Sequence, residues 1–298
     1  MNNVTPLVSV HLICFNQKDY IRETLDSILQ QEYENIEIIV ADDGSTDGTA
    51  EIILEYAEKN KKIVPLVGGI NLGITGNSNR GLQKCNGEYV AFLGGDDLMA
   101  PNKIVRQVEF MMANPGVAVS YHNLDVFDSE SGNTIRPLNK KNSYSGFCAD
   151  YVKRGCVNGG SSTMIRASAI PDKGFDPVFP VASDWFFWVQ AMMKSGGKIE
   201  YLDLVLGRYR RHDRNVTSQL SPFATQGLRD SIATCARIML DYPSLASNAC
   251  YRLGVLLRAQ RFSGSYFMRL LASLHVSFQI KTLFLIFLYV ISFGRIKA

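Results

Sequence analysis

The chain has 298 residues, 46% of them hydrophobic and 20% charged, with a formal net charge of +3. That length can bury one large core or two modest ones, and the composition is that of an ordinary globular protein. So small a net charge gives no ground for a nucleic-acid partner.

The charge is unevenly spread. Residues 1–241 carry 24 basic and 28 acidic side chains, whereas beyond Asp241 the only charges are Arg252, Arg258, Arg261, Arg269, Lys281, Arg295 and Lys297. A cationic, apolar tail favours an anionic membrane face. The six cysteines (14, 85, 148, 156, 235 and 250) form no CxxC pair and no zinc spacing, which fits a reducing, cytosolic compartment. No cationic n-region or cleavage site accompanies the apolar run at residues 7–15, so it reads as a first strand.

Residues 16–19 are turn-like, and residues 20–30 place Ile21, Leu25, Ile28 and Leu29 at helical spacing. Residues 35–41 read as a second strand, and a helix runs from Thr46 through Asn60 with Ile52, Ile53 and Tyr56 on one face. A short strand at 63–67, a glycine-rich loop at 68–76, a short helix at 77–84 and a strand at 88–93 follow. Strand, helix, strand, helix, strand implies a parallel sheet with right-handed crossovers.

After Pro101 a helix is expected at 103–112 and a strand at 117–121, then a polar, mobile loop at 128–147. Further strands are expected at 156–165 and 198–206, with a helix at 184–194. From Pro222 the pattern is mostly helical. The apolar run at 282–293 is too short for a span, which needs about 20 residues, and Lys281 separates it from 270–280. A helix lying in the membrane interface is the reading preferred over a tilted span or a core helix.

Two apolar runs end in paired carboxylates, Asp42–Asp43 and Asp96–Asp97. Such runs fit buried parallel strands, and the carboxyl edge of an open α/β sheet is where ligands bind. Asp43 can accept from a base imide or a ribose hydroxyl; the competing reading is a helix cap by Ser45, Thr46 or Asp47. Asp96 and Asp97 follow Gly94–Gly95 and suit Mg²⁺ or Mn²⁺ completed by diphosphate oxygens, against the bland alternative of a solvated turn.

Asp184 precedes Trp185, Phe186, Phe187 and Trp188. Apolar neighbours raise a carboxyl pKa toward that of a general base, while Trp185 or Trp188 could stack on an acceptor sugar. An N-cap before a core helix is the alternative. Arg208, Arg210, Arg211 and Arg214 surround His212, which suggests diphosphate recognition with His212 on the metal or the leaving group. His11, His122 and His275 read as structural.

In these residues the chain resembles the family-2 glycosyltransferases, inverting enzymes of the GT-A fold. The matching pieces are Val8 to Asn16, Asp42 to Asp47, Asn71, Gly73, Asn79, Gly81, Gly87, Asp96–Asp97, Pro101, Ser183–Asp184–Trp185, Tyr209, Arg210 and His212, within residues 5–215. The resemblance implies donor contacts by Asp43, Phe15, Asn16, Asn79 and Asp96, and a metal held by Asp96, Asp97 and His212. It implies a diphosphate site at Arg208, Arg210 and His212, and Asp184 as the base that deprotonates the acceptor. Three positions depart from the family pattern: Gly94 stands where an Asp is common, Ser78 where an Arg is common and Ser183 where a Glu is common.

The implied architecture is an α/β, Rossmann-like, mostly parallel nucleotide-sugar domain. Residues 1–100 form its donor half and 101–220 its acceptor half, followed by a helical, membrane-associating region at 221–298. The tail resembles those of bacterial O-antigen and capsule transferases, which implies a lipid-linked acceptor on a polyprenyl diphosphate at the cytoplasmic face of the inner membrane. A nucleotide-binding module without catalysis is the runner-up; an oxidoreductase is disfavoured, since no GxGxxG follows the first strand.

Overall fold

The computed structural model describes residues 5–138, 143–215, 223–258 and 266–291. The first half alternates strand and helix: β1 (Val8–Cys14), α1 (Ile21–Leu29), β2 (Ile36–Asp42), α2 (Thr49–Lys59), β3 (Ile63–Leu66), α3 (Gly73–Leu82) and β4 (Tyr89–Gly94). A two-residue strand β5 (Leu98–Met99), α4 (Lys103–Ala113), β6 (Val117–Asp128) and β7 (Thr134–Pro137) come next. Then follow α5 (Cys148–Arg154), β8 (Thr163–Arg166), α6 (Asp184–Ser195) and β9 (Lys198–Arg211). Four helices close the chain: α7 (Phe223–Asp241), α8 (Ala246–Arg258), α9 (Tyr266–Val276) and α10 (Ile280–Ile291).

One sheet has the order β3-β2-β1-β4-β8-β6-β9-β5, with β7 on β6. The first four strands are parallel, as their crossovers require. Beyond β4 the expectation of a mostly parallel sheet fails. β8 runs antiparallel to both β4 and β6, β5 runs antiparallel to β9, and only β6 with β9 restores a parallel pair, so the sheet is mixed. The reason is local. No helix separates β4 from β5, and the chain comes back through α5 and the 3-10 turn Gly160–Ser162 to insert β8 between β4 and β6.

Burial on both faces explains the near-continuous apolar strands. Val8, Val10 and Leu12 of β1 pack with Ile21, Leu25 and Ile28 of α1 and Ile104, Val108 and Met111 of α4. Each fully buried side chain of this kind contributes about 1.5–3 kcal/mol. The opposite face gathers Phe92, Val119 and Tyr121 against α5, α6, α7 and α8. His11 lies there, buried, 2.9 Å from the Ser78 carbonyl, and burial lowers its pKa to about 4.

Several boundaries move. α3 starts at Gly73 inside the expected glycine loop, because Asn71 Oδ1 accepts the Gly73 N–H at 3.0 Å. β9 runs on to Arg211, so the arginine cluster begins inside a strand rather than after one. Residues 128–147 were expected as loop, yet 134–137 form β7; residues 139–142 lie outside the described residues. Among the described residues no helix is long and apolar enough to cross a membrane. Arg261, Arg295, Lys297 and the end of the 282–293 run lie outside the described residues.

Candidate functional site

β1 lies between β2 and β4, with Cys14 opposite Asp42 and Ile13 opposite Gly94. The carboxyl ends of all three strands therefore reach one edge. Asp43 and Asp96 leave that edge on either side of β1, two strand spacings or about 10 Å apart. Between them Phe15 is exposed at the end of β1.

The two aspartates of the first pair divide the work. Asp42 is fully buried and receives the Ser45 hydroxyl and, at 3.0 Å, the Ser45 N–H, closing the turn after β2, while at the start of α2 Asp47 Oδ1 accepts the Thr49 N–H at 3.0 Å. Asp43 turns the other way, its Oδ1 accepting the Leu72 N–H at 2.7 Å. Asn16, at φ 50°, joins the β1 and β2 ends: its N–H donates to Ser45 Oγ (2.8 Å) and its Oδ1 accepts from Thr46 N–H (2.9 Å). Its amide oxygen thus serves this stitch. Arg80 braces the same edge from beneath, donating to the Asp42, Leu66 and Gly68 carbonyls.

Asn79 does not reach a donor. Its amide donates to the Phe175 carbonyl and accepts the Phe175 N–H, both at 2.8 Å. It clamps the 175 segment to α3, which corrects its expected role as a donor contact.

The second pair also divides. Asp96 Oδ2 lies 2.9 Å from His212 Nε2, and both side chains keep some solvent contact. Asp97 points inward, with Oδ2 accepting from the Ser161 hydroxyl and Oδ1 from the Arg210 N–H at 2.9 Å. Burial, reinforced by the charge of Asp96, pushes its pKa well above the ordinary carboxylate range. With both oxygens spent on the protein, Asp97 is a framework residue here rather than the metal ligand expected from the sequence.

β5 makes this geometry. It follows Asp97 directly and pairs antiparallel with β9, Leu98 opposite Arg208 and Met99 opposite Gly207. A Cβ on Gly207 would stand 2.7 Å from the Leu98 carbonyl oxygen, so only glycine allows this approach. Arg210 then bonds Asp97 through its N–H, the Asp96 carbonyl through Nε–H at 2.8 Å, and Glu23 through Nη2. Its guanidinium is buried and committed, so the expected diphosphate contact is replaced by a bracing role. Arg208 is also turned aside, donating to the Gly132 carbonyl at 2.6 Å with its guanidinium over Phe127 at 4.0 Å.

His212 is held from three directions. Tyr20 stacks on it at 4.7 Å; Asn215 Oδ1 accepts its backbone N–H at 2.7 Å; Asn215 Nδ2 lies 3.3 Å from its Nε2 and donates to Asp96 Oδ2 at 3.3 Å and to the Arg210 carbonyl at 3.1 Å. Among the described residues no cluster of three or more His, Cys, Asp or Glu is placed to hold a metal ion. One carboxylate and one imidazole in contact still suit a divalent cation that draws its other ligands from diphosphate and water. The donor set that fits is therefore Asp96 with His212.

Asp184 opens α6. Its Oδ1 accepts the Trp185 N–H at 2.8 Å and its Oδ2 the Cys156 thiol at 3.6 Å; burial raises its pKa above the ordinary carboxylate value. Trp185 and Trp188 are not available to a sugar. Trp188 packs edge-on against Phe92 at 5.2 Å and Phe187 at 4.9 Å, and both tryptophans are buried. The first turns of the helix, Trp185 to Val189, are apolar all round because they sit in the core.

Short polar links join the acid-bearing segments. The Thr75 hydroxyl on α3 donates to Ser183 Oγ at 2.9 Å, next to Asp184, three residues beyond the Leu72 N–H that holds Asp43. Ser161, bonded to Asp97, stands five residues after Cys156, which touches Asp184. Tyr20, Glu23, Asn215, Ser161, Arg80, Thr75 and Cys156 escaped the sequence reading. Only Asn215, three residues after His212, carried a usable spacing signal.

Residues 9–170 match the sequence family described as Glycosyl transferase family 2. An uncharacterised protein of Mycobacterium tuberculosis is 31% identical over 214 residues, covering 70% of this chain and 60% of that one. A putative teichuronic acid biosynthesis glycosyltransferase of Bacillus subtilis, TuaG, is 40% identical over 112 residues, covering 38% of this chain and 44% of that one. The chain spans about half the length of the curated relatives it matches. Among solved structures, S. aureus TarS 1-349 in complex with UDP-GlcNAc superposes at TM-score 0.69 and 16% identity, covering 97% of this chain and 88% of that one. The mannosyltransferase PcManGT of Pyrobaculum calidifontis, in complex with GDP-Man and Mn²⁺, does so at 0.60 and 16%, covering 98% and 86%. The fold is thus GT-A-like, and on its sequence the chain belongs to glycosyl transferase family 2.

Proposed function

We propose that the protein is a metal-dependent, inverting glycosyltransferase using a nucleotide-diphosphate sugar, with UDP as the nucleotide. The observation that carries this is the shared sheet edge, with Asp43 and Asp96 on either side of β1 and Asp184 linked to the same segments. TarS in complex with UDP-GlcNAc and PcManGT with GDP-Man and Mn²⁺ share the fold and support a nucleotide-sugar donor.

Asp43 accepts from the imide of the base, and exposed Phe15 offers it an apolar face. Asp96 and His212 would hold Mn²⁺ or Mg²⁺, which when bound offsets charge on the departing diphosphate. Asp184 takes the proton of the acceptor hydroxyl. That oxygen then bonds the anomeric carbon as the bond from carbon to diphosphate oxygen breaks, inverting the centre and releasing the nucleoside diphosphate. The raised pKa makes Asp184 a stronger base than an exposed carboxylate.

The acceptor we propose is a sugar hydroxyl on a polyprenyl-diphosphate glycan, in O-antigen or capsule synthesis at the cytoplasmic face of the bacterial inner membrane. α10 supports this reading. Ile280, Leu283, Phe284, Phe287 and Val290 recur at helical spacing and are all exposed, as are Phe278 and Met268 beside them. With Lys281 and Arg269 nearby, such a face suits a peripheral seat on anionic lipid.

A thermal-shift screen of UDP- and GDP-sugars with Mn²⁺ tests the donor reading. Stabilisation by a UDP-sugar that disappears in Asp43→Ala is the expected result. No response to any nucleotide sugar would overturn it.

A further inference from the structure

The Asp184 carboxylate has two oxygens with separate fates. Oδ1 is taken by the N–H of the next residue, Trp185, at 2.8 Å, a contact internal to the helix start. Oδ2 faces the Cys156 thiol at 3.6 Å. Whatever approaches Asp184 to surrender a proton meets this second oxygen and that sulfur together.

Cys156 is not a lone thiol. It ends a polar chain that starts in the core: Asn158 Nδ2 donates to Thr163 Oγ1 at 3.0 Å, and the Tyr151 hydroxyl donates to Asn158 Oδ1 at 2.7 Å. Tyr151 also lies 3.6 Å from Cys156 Sγ, and the sulfur lies 3.4 Å from the Asn158 carbonyl. Thr163, Asn158 and Tyr151 are buried, whereas Cys156 keeps exposed surface. Gly155, at φ 85°, turns the chain out of α5 to present Cys156; a Cβ there would meet the Arg252 guanidinium at 2.4 Å. The segment is pinned from both sides.

We propose that Cys156 is a positioning residue for Asp184: its S–H holds Oδ2 in place and favours the ionised carboxylate until the acceptor hydroxyl replaces it. This rests on Asp184 being the proton acceptor of the proposed function. The chemistry is consistent. A thiol whose sulfur is packed beside a carboxylate stays protonated, because desolvation at the sulfur and the Asp184 charge both raise its pKa, so it is a donor and not a nucleophile. The titratable groups set against the pair are Tyr151 from α5, Tyr121 from β6 and the Arg252 guanidinium from α8.

Cys156→Ser, Cys156→Ala and Tyr151→Phe test it, each read as kcat, KM for the donor and the pH profile of kcat/KM. Loss of a donor to the carboxylate raises the base pKa, so Cys156→Ala should move the acid limb upward by about half a pH unit and lower kcat roughly three- to tenfold. Serine should restore both, and Tyr151→Phe should shift the limb in the same direction by less. Nucleotide binding should be unchanged in all three, which also reports that they fold. Cys156→Ala with the wild-type acid limb and kcat, while Asp184→Asn is inactive, overturns the positioning role alone. Full activity in Asp184→Asn removes the base assignment instead.

Discussion

His212 Nε2 stands 2.9 Å from Asp96 Oδ2, although 116 residues separate them. Two elements create the contact: the two-residue strand β5, which pulls β9 across the end of β4, and Tyr20, which stacks on the imidazole at 4.7 Å. Removing either partner should cost metal-stimulated activity. His212→Ala and Asp96→Asn are each expected to lower kcat about 100-fold at saturating donor, since one preorganised electrostatic group is worth on the order of 10²–10³. Titrating Mn²⁺ against transfer rate checks this; equal activity with and without chelator in the wild type would contradict it.

Asp97→Asn should behave differently. Its carboxylate accepts from Ser161 and from the Arg210 N–H, so an amide puts a donor where acceptors are needed. A lowered melting temperature is expected ahead of any change in metal affinity, at a cost of about 1–3 kcal/mol. Differential scanning calorimetry beside a Mn²⁺ titration separates the two effects.

Asp184→Asn should bind donor as the wild type does and transfer no sugar. The wild-type pH profile carries its own sign. Asp184 is active when ionised, and burial raises its pKa, so kcat/KM should fall as pH falls through a value above the ordinary 3.8. An acid limb at or below that value would exclude Asp184 as the base.

His11 predicts an acid-labile fold. Burial depresses its pKa from 6.5 to about 4, so the unfolded chain takes the proton first as pH drops. The stability it contributes is present above 6.5 and lost as pH falls toward about 4, to a total of about 3 kcal/mol. Urea midpoints of wild type and His11→Gln between pH 7 and 4 check this; parallel curves would refute it.

Phe284→Ser with Phe287→Ser should release the protein from anionic vesicles while leaving the melting temperature nearly unchanged, because both rings are exposed. Sedimentation with phosphatidylglycerol vesicles is the measurement. Undiminished binding by the double variant would exclude α10 as the docking face.

The edge at Asp42–Asp43 is legible in the sequence because it is local. An apolar run that stops at paired aspartates announces both a buried strand and its exposed end, and Asp42 to Ser45 spans a single turn. In the sequence a helix cap by Ser45, Thr46 or Asp47 competes with a ligand role for Asp43; in the structure Asp47 Oδ1 accepts the Thr49 N–H at the start of α2, and Asp43 turns toward the 72 loop. The edge at Asp96–Asp97 is legible only in its residue types. Which of Asp96 and Asp97 faces outward depends on Ser161 and on the Arg210 N–H, both far away in sequence. Trp185 and Trp188 were misread for a related reason: an aromatic run after an acid looks the same on a sugar platform and inside a core helix, and only α5, α7 and α8 packed around it decide.

Because β9 delivers Arg210, His212 and Asn215 to a turn that follows β4, the proposed nucleotide contact and the proposed cation contact depend on different lengths of chain. A protein cut at residue 170, where the family match ends, would retain Asp43 and its neighbours but would lack every imidazole and amide that now steadies Asp96. On the proposed function, the aspartate that meets the base and the imidazole that meets the cation thus come from opposite ends of the fold's sequence.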